Sequence, residues 1–478
     1  MVMEGMKVIF IILLVFICIL VFNAIKKKAS ARRLTDKIHH TTKEQQTAYA
    51  EKAGEMIRCQ TVSKEGAFNK TEFEKLNKVM EELFPLVHEK SKKLAFGDDC
   101  WIYKIEGKDT KRNIMVMSHH DVVSGEGEWK YPAFCGEIHD DALWGRGAVD
   151  TKTPLFAEFQ AIEELLSEGF VPECNLYIGS SHNEEIGGDG IPLAVEYFNE
   201  NNITFEAVLD EGGAIIDPPL AGMKCKCAMM AVHEKGRRRI ICTANEGTSH
   251  AGLSGNTNTP VARMSGFINE VNSKNIFIKR LYPQVKAMFE DLCPYTPFFM
   301  QILFANLWCF GGLLKNVIPK INAQAGAMLG TSCTFFEIKG TYEEKQCTAK
   351  ATLRCVNDKD LEKDLEKLKE IAKKYGVEIS DGEYNEYHAP ADMNSPAFKY
   401  VKNCVAEIFP DVAVASYILP AGTDGRHLSE VCNCVVRFAP IQMDAQQFAS
   451  VHSENENISL EAIGNAVVFY KHYIKNYK

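Results

Sequence analysis

The chain has 478 residues, 46% hydrophobic and 24% charged, with 63 acidic against 54 basic side chains. That length is too great for one ordinary core and calls for at least two folded units, while a mild acidic excess excludes the basic footprint of a nucleic-acid-binding protein. Sixteen cysteines without a single Cys-x-x-Cys pair exclude a cysteine-rich zinc module and read as buried, reduced thiols, which points to a reducing compartment.

Residues 8–22 are an unbroken apolar run, extended by Asn23, Ala24 and Ile25 to Lys26, Lys27 and Lys28. This meets the lower limit of about 17 residues for a membrane-spanning helix. A cleaved signal peptide is the alternative, but the small-x-small site Ala29-Ser30-Ala31 lies beyond three lysines, a poor setting for cleavage. The reading is therefore a single-pass anchor over 1–25 and a basic linker over 26–45. Lys7 precedes the run, whereas Lys26, Lys27, Lys28, Arg32 and Arg33 follow it, so the positive-inside rule places the body in the cytoplasm.

Helical spacing is expected over 48–58 and 73–90, then strands over 101–103 and 113–117. A helix over 155–166, a strand over 175–179, a helix over 191–197 and a strand over 207–209 complete an alternating pattern. Such alternation implies an α/β fold with a mainly parallel sheet and helices on both faces. From about residue 236 the rhythm changes, with strands over 240–244, 333–338 and 348–354 and helices over 260–272 and 360–374. We read 236–384 as a smaller α/β domain inserted between the two parts of the first, 46–235 and 385–478. Its stretch 298–314 is apolar almost throughout; a buried helical hairpin or a dimer surface is the favoured reading, a second membrane contact the other.

In an open α/β sheet, ligands gather at the carboxyl ends of the strands. Here the strand over 113–117 is followed by His119-His120-Asp121, and Asp150 follows the Gly145-Arg146-Gly147 turn. The next strand leads to Glu184-Glu185, and the strand ending at Leu209 leads to Asp210-Glu211. Acids converging with a histidine cannot stay unpaired, and one or two divalent metals resolve the repulsion. Imidazole with carboxylates suits zinc, with manganese and cobalt as alternatives, and keeps a position open for water. Adjacent glutamates permit one to bind metal while the other accepts a proton from the attacking water. Metal-assisted hydrolysis follows; no cysteine stands beside a base, which disfavours a cysteine hydrolase.

The stretches HHD, W-x2-P-x-F-x-G-x-I over 129–138, LWGRGAVDTK, HNEEIGGDG, VLDEGG, AGTDGRH over 421–427 and VHSENE over 451–456 resemble, in order and spacing, the M20 metallopeptidase family in its carboxypeptidase S and N-acyl amino acid hydrolase branch. The resemblance covers residues 45–478. It implies a zinc-peptidase catalytic domain with an inserted lid domain used for dimerisation, and two zinc ions bridged by Asp150. His119 and Asp210, chosen over Glu211 because it stands at the strand end, would hold one metal; Glu185 and His452 would hold the other. Glu184 is then the general base and Asp121 the carboxylate that orients His119. The Gly247-Thr248-Ser249-His250-Ala251 stretch resembles the lid motif whose histidine reaches the partner's site in dimeric members. Arg354, with Arg426 as a second candidate, would grip the substrate carboxylate.

Two departures stand out. Where the family carries Asn-Val-Ile-Pro on its lid, this chain has GTYEEKQC over 340–347, and its literal Asn316-Val317-Ile318-Pro319 comes too early; Thr151 follows Asp150 where an acid is common. The expectation is a membrane-anchored di-zinc hydrolase cleaving an amide next to a free carboxylate, in a short peptide or an N-acyl amino acid. An inactive zinc-binding scaffold of the same fold is the alternative.

Overall fold

The strand Asp109–Met117 starts with three exposed residues and ends with five buried ones. The computed structural model describes residues 2–245, 259–274, 276–341, 345–385 and 388–478, and this strand lies inside its nine-stranded sheet. The order is Lys92–Phe96, Cys100–Ile105, Cys174–Ser180, Asp109–Met117, Ala207–Asp210, Val435–Arg437, Cys227–Glu234, Ala413–Leu419, with Ala214–Ile216 paired to Cys227–Glu234. Cys174–Ser180, Asp109–Met117, Ala207–Asp210 and Val435–Arg437 run parallel, and antiparallel pairs flank them. All seven residues of Cys174–Ser180 are buried, as expected for a strand covered on both faces. Parallel strands deliver their C-terminal ends to one edge, so Met117, Ser180 and Asp210 open onto a common rim.

Helix Lys152–Ser167 packs against Leu460–Asn476 and Lys43–Ile57. The helix expected over 73–90 is two, Lys70–Leu83 and Pro85–Lys90, because Pro85 has no N–H to continue the ladder and its ring crowds the preceding turn. The basic segment expected as a tether is instead pinned to the body. Arg32 donates to the carbonyls of Ala406 (3.1 Å) and Pro410 (3.0 Å), at the carbonyl-rich end of helix Pro396–Ile408, and Lys37 meets Glu461 at 2.7 Å.

The second sheet is antiparallel, in the order Ser332–Thr341, Gln346–Cys355, Gly236–Asn245, Glu378–Asn385. Gln346–Cys355 alternates strictly between buried and partly exposed positions after its first residue, and Ala349, Ala351 and Leu353 face Met264 and Phe267 of helix Pro260–Ser273 and Leu361, Leu365 and Leu368 of helix Asp358–Lys374. Asn316 to Pro319 lie in helix Leu307–Ile321, remote in sequence from the Gly340–Cys347 hairpin.

Part of the inserted stretch serves the large sheet. Val285, Met288, Phe289 and Leu292 of helix Pro283–Leu292 join Met229, Ala413, Ala415 and Ile418 in a core that covers the edge strand Ala413–Leu419. The helices Phe298–Phe304 and Leu307–Ile321 meet at 105°. They do not form the favoured buried hairpin: Phe298, Phe299, Trp308, Leu313 and Ile321 are between 50% and 79% exposed. Helix Val2–Ala29 precedes all of this, and its span Met3–Ala29, whose most apolar 18-residue window has a mean hydropathy of 3.3, is long and apolar enough to cross a membrane.

Candidate active site

Asp121 organises the rim. Its buried carboxylate accepts from the Ser63 hydroxyl and from the backbone N–H groups of Glu184 and Glu185, each at 3.2 Å. One side chain thereby fixes the turn Glu184–Ile186 that carries both glutamates. His119 Nδ1 lies 2.9 Å from the Asp121 carbonyl and 3.3 Å from its carboxylate, which holds the proton on Nδ1 and turns Nε2 outward. Burial works against ionising Asp121, but His119 and Ser63 outweigh it and hold the carboxyl below its ordinary range.

Nε2 of His119 lies 3.0 Å from Asp150 Oδ1, and Nε2 of His452 lies 3.0 Å from Asp150 Oδ2. Each oxygen of Asp150 thus faces a different imidazole. His452 Nε2 also meets Glu185 Oε2 at 3.0 Å. Burial alone would depress His119, yet Asp121 and Asp150 raise it well above an ordinary histidine. His452 rises to about 10 because Asp150 and Glu185 accept from it. Burial would raise Asp150, but the two histidines hold it well below the usual carboxylate range.

The loop carrying Asp150 is held from far downstream. Gly145 and Gly147 have φ of 144° and 89°, a region open to glycine, and a Cβ at Gly145 would lie 2.5 Å from Ile57. Glu456, completely buried, accepts from the N–H groups of Gly147 (3.1 Å), Val149 (2.7 Å) and Asp150 (3.1 Å) with Oε1, and from Arg146 (2.7 Å) with Oε2.

Asp210, the expected ligand, already accepts one backbone hydrogen bond. Its Oδ2 accepts from the Gly425 N–H at 2.8 Å, and burial lifts its pKa to about 7 against a Thr423 hydrogen bond. The next residue, Glu211, is also enclosed, at 9% exposed. Glu211 is the acid pushed well up by burial and then by Asp210, Asp150 and Glu184, against His119. Glu184 is likewise raised well above its ordinary value, by burial and by Asp424, Glu185 and Asp121, against His119.

His120 stacks on Trp101 at 4.5 Å and bonds Ser180, and His139 stacks on Tyr131, so both serve packing. His250 lies outside the described residues. Sequence reasoning named Glu211 only as the alternative to Asp210, and missed Ser63 and Glu456. VHSENE marked only the neighbourhood of Glu456, and no local signal marks Ser63.

A cavity of about 210 Å³ opens between the two sheets, lined by Glu184, Glu185 and His452 and by Arg354 and Arg426. Burial and then the neighbouring Arg426 hold Arg354 below the usual arginine range, against Glu234. The cavity's Lys235 is already committed, donating to the carbonyls of Ala327 and Gly330 and to Ser332.

Residues 115–476 match the family model described as peptidase family M20/M25/M40. The chain belongs to this family. It is 29% identical to the N-fatty-acyl-amino acid synthase/hydrolase PM20D1 of Xenopus tropicalis over 88% of this chain and 84% of that protein. It is 27% identical to a probable carboxypeptidase S-like 2 of Dictyostelium discoideum over 85% of this chain and 79% of that one. Among solved structures, the M20 family metallo-carboxypeptidase Sso-CP2 of Sulfolobus solfataricus superposes with a TM-score of 0.64 at 18% identity, covering 91% of this chain and 99% of that one. The chain is thus an M20 hydrolase of the carboxypeptidase or N-acyl amino acid hydrolase kind, in a family of metal-dependent enzymes.

The residues present fit a metal. One donor atom each of His119, Asp150 and Glu185 lies within 4.8 Å of the others. Glu185 Oε1 is buried with no hydrogen-bond partner among the described residues, although its side chain is only 5% exposed. A carboxylate oxygen without a donor, among like charges, is stabilised by a cation.

Proposed function

We propose that this chain is a two-metal hydrolase of an amide bond next to a free carboxylate, acting on short peptides or N-acyl amino acids. The observation that carries the reading is Asp150, one carboxylate oxygen toward His119 and the other toward His452. Asp150 would be shared, with His119 and Glu211 completing one site and Glu185 and His452 the other; zinc suits these ligands, with cobalt or manganese as substitutes. When bound, the cations supply Lewis acidity for the scissile carbonyl and acidify water.

The protein's own residues divide the remaining work. Glu184, uncommitted to a ligand pair and raised in pKa, takes a proton from the attacking water and returns it to the leaving amine. Asp121 keeps the base and the Glu185 ligand in register through their backbone N–H groups, and holds His119 in one tautomer. Arg354 and Arg426 take the substrate carboxylate across the cavity. His250, on its motif alone, would steady the oxyanion in a partner subunit's site within a homodimer. Residues 236–384 would act as the lid, and the N-terminal helix as an uncleaved anchor with the body in the cytoplasm, as the flanking charges and free thiols favour.

Glu184→Gln tests the base. The variant keeps its metal by elemental analysis and loses turnover by about 10²–10⁴-fold; near-normal turnover would put the base elsewhere.

A further inference from the structure

The exposed apolar faces of helices Phe298–Phe304 and Leu307–Ile321 are unused by the hydrolase reading. These helices are not remote from the N-terminal helix; its C-terminal half is docked on them. Leu20 and Ala24 are buried, Phe16 meets Trp308 edge to face at 6.1 Å, and Lys27 pairs at 3.1 Å with Glu290 of the neighbouring helix Pro283–Leu292. At the break between the two short helices, Asn306 is 0% exposed. Its amide donates to the carbonyls of Leu20 (3.0 Å) and Ile302 (2.8 Å), and its oxygen accepts from Asn23 (2.8 Å) and the Trp308 indole (3.3 Å). The N–H groups of Ala305 and Asn306 reach Gln301 and Leu303, and the Asn306 carbonyl accepts from Cys309 and Phe310.

A sharp break whose polar groups are satisfied from within is what a lipid environment demands and water does not. The outward side chains agree. Residues 298–314 carry no charge, their polar side chains Gln301 and Asn306 are turned inward at 2% and 0% exposure, and Phe298, Phe299, Trp308 and Leu313 face out. The first charges after them, Lys315 and Lys320, have stems long enough to reach headgroup phosphates.

We propose that the Phe298–Ile321 pair is a second membrane element, immersed in the leaflet from which the N-terminal helix emerges into the body. This rests on the reading of that helix as an uncleaved span. Lys7 and Lys26 bracket a helical rise of about 28 Å, close to the roughly 30 Å hydrocarbon core. On the same scale Phe16 lies about 15 Å below Lys26 and Asn23 about 5 Å below it, which sets the depth range of Trp308 and Asn306. The occupant is lipid acyl chain, because the faces of the pair continue the apolar surface of a helix that is itself 11% buried over its most apolar window.

Trp308, one of four tryptophans, reports on this directly. The full-length protein is reconstituted in phosphatidylcholine–phosphatidylserine vesicles brominated at mid-chain, and the Trp308 component is isolated by subtracting the Trp308→Phe emission. The expected result is loss of most of that component and a blue-shifted maximum relative to unbrominated detergent. Phe16→Trp in the Trp308→Phe background reports on the N-terminal helix in the same vesicles. Quenching at position 16 with none at Trp308 overturns the proposal and leaves the span standing; quenching at neither removes both. Disulfide-linked dimers through the exposed Cys309 on oxidation, abolished by Cys309→Ser and accompanied by an unquenched Trp308, would identify a second copy as the occupant and also overturn it.

Discussion

Replacing Glu456 by glutamine should cost more than its distance from the reacting atoms suggests. Glu456 holds Arg146 with one oxygen and three backbone N–H groups with the other, all inside the protein. Glutamine retains a carbonyl for the amides but turns an NH2 group toward a buried guanidinium. Removing one member of a buried ion pair costs about 3–5 kcal/mol. With an unfolding entropy of roughly 2.1 cal/mol/K per residue, a cooperative chain of this length loses about 3–5 °C in Tm. Glu456→Met should be worse, since it orphans three N–H groups at about 1–3 kcal/mol each. Arg146→Met combined with Glu456→Gln should recover most of the loss, because the stranded cation is gone. Calorimetry of the four proteins, with metal content measured alongside, tests the ordering; Asp150 is one of the anchored residues, so Glu456→Gln should also shed metal. Equal stability of Glu456→Gln and Glu456→Met, or no recovery in the double variant, would refute the reasoning.

Glu211→Gln should lower metal content, whereas Asp210→Asn, which keeps an acceptor for Gly425, should leave it nearly intact; the reverse by elemental analysis would restore Asp210 as the ligand. Arg354→Met and Arg426→Met should each raise KM for substrates with a free carboxylate by about 10- to 100-fold, from the loss of a charge-assisted hydrogen bond, and leave the amidated analogues unchanged in steady-state assays. In the metal-stripped protein, His452 has a folded pKa of about 10, above its unfolded value. The stability it contributes is therefore complete below about pH 6.5 and lost as pH rises toward 10. Thermal melts in chelator should show that decline, and His452→Gln should flatten it.

Much of the fold was legible because strands with two buried faces, such as Cys174–Ser180, and helices such as Lys152–Ser167 leave clear local patterns. The rim was legible for the same reason: His119, Asp150 and Glu184-Glu185 all follow a strand or a glycine turn. What escaped depends on where a chain turns after a strand ends. Asp210 and Glu211 are adjacent, and the hydrogen bond that occupies Asp210 comes from Gly425, more than two hundred residues away. Pro85 was visible, yet the helical stripe of Phe73, Leu76 and Met80 masked its effect. The basic segment after the N-terminal helix looked like a tether because the carbonyls that catch Arg32 belong to the far end of the chain.

On the two-metal reading, the strap from Glu456 would also set when the enzyme can switch on during synthesis. The apolar N-terminal helix is made first and can engage a membrane while the ribosome is still translating the sheet. His119, Asp150 and Glu184 follow, but the Asp150 loop has no anchor and no second imidazole until residues 452–456 emerge and helix Leu460–Asn476 docks on Lys152–Ser167. On the two-metal reading, nascent chains would stay inert through nearly all of translation, and loss of the last thirty residues would yield a product that is made but unarmed.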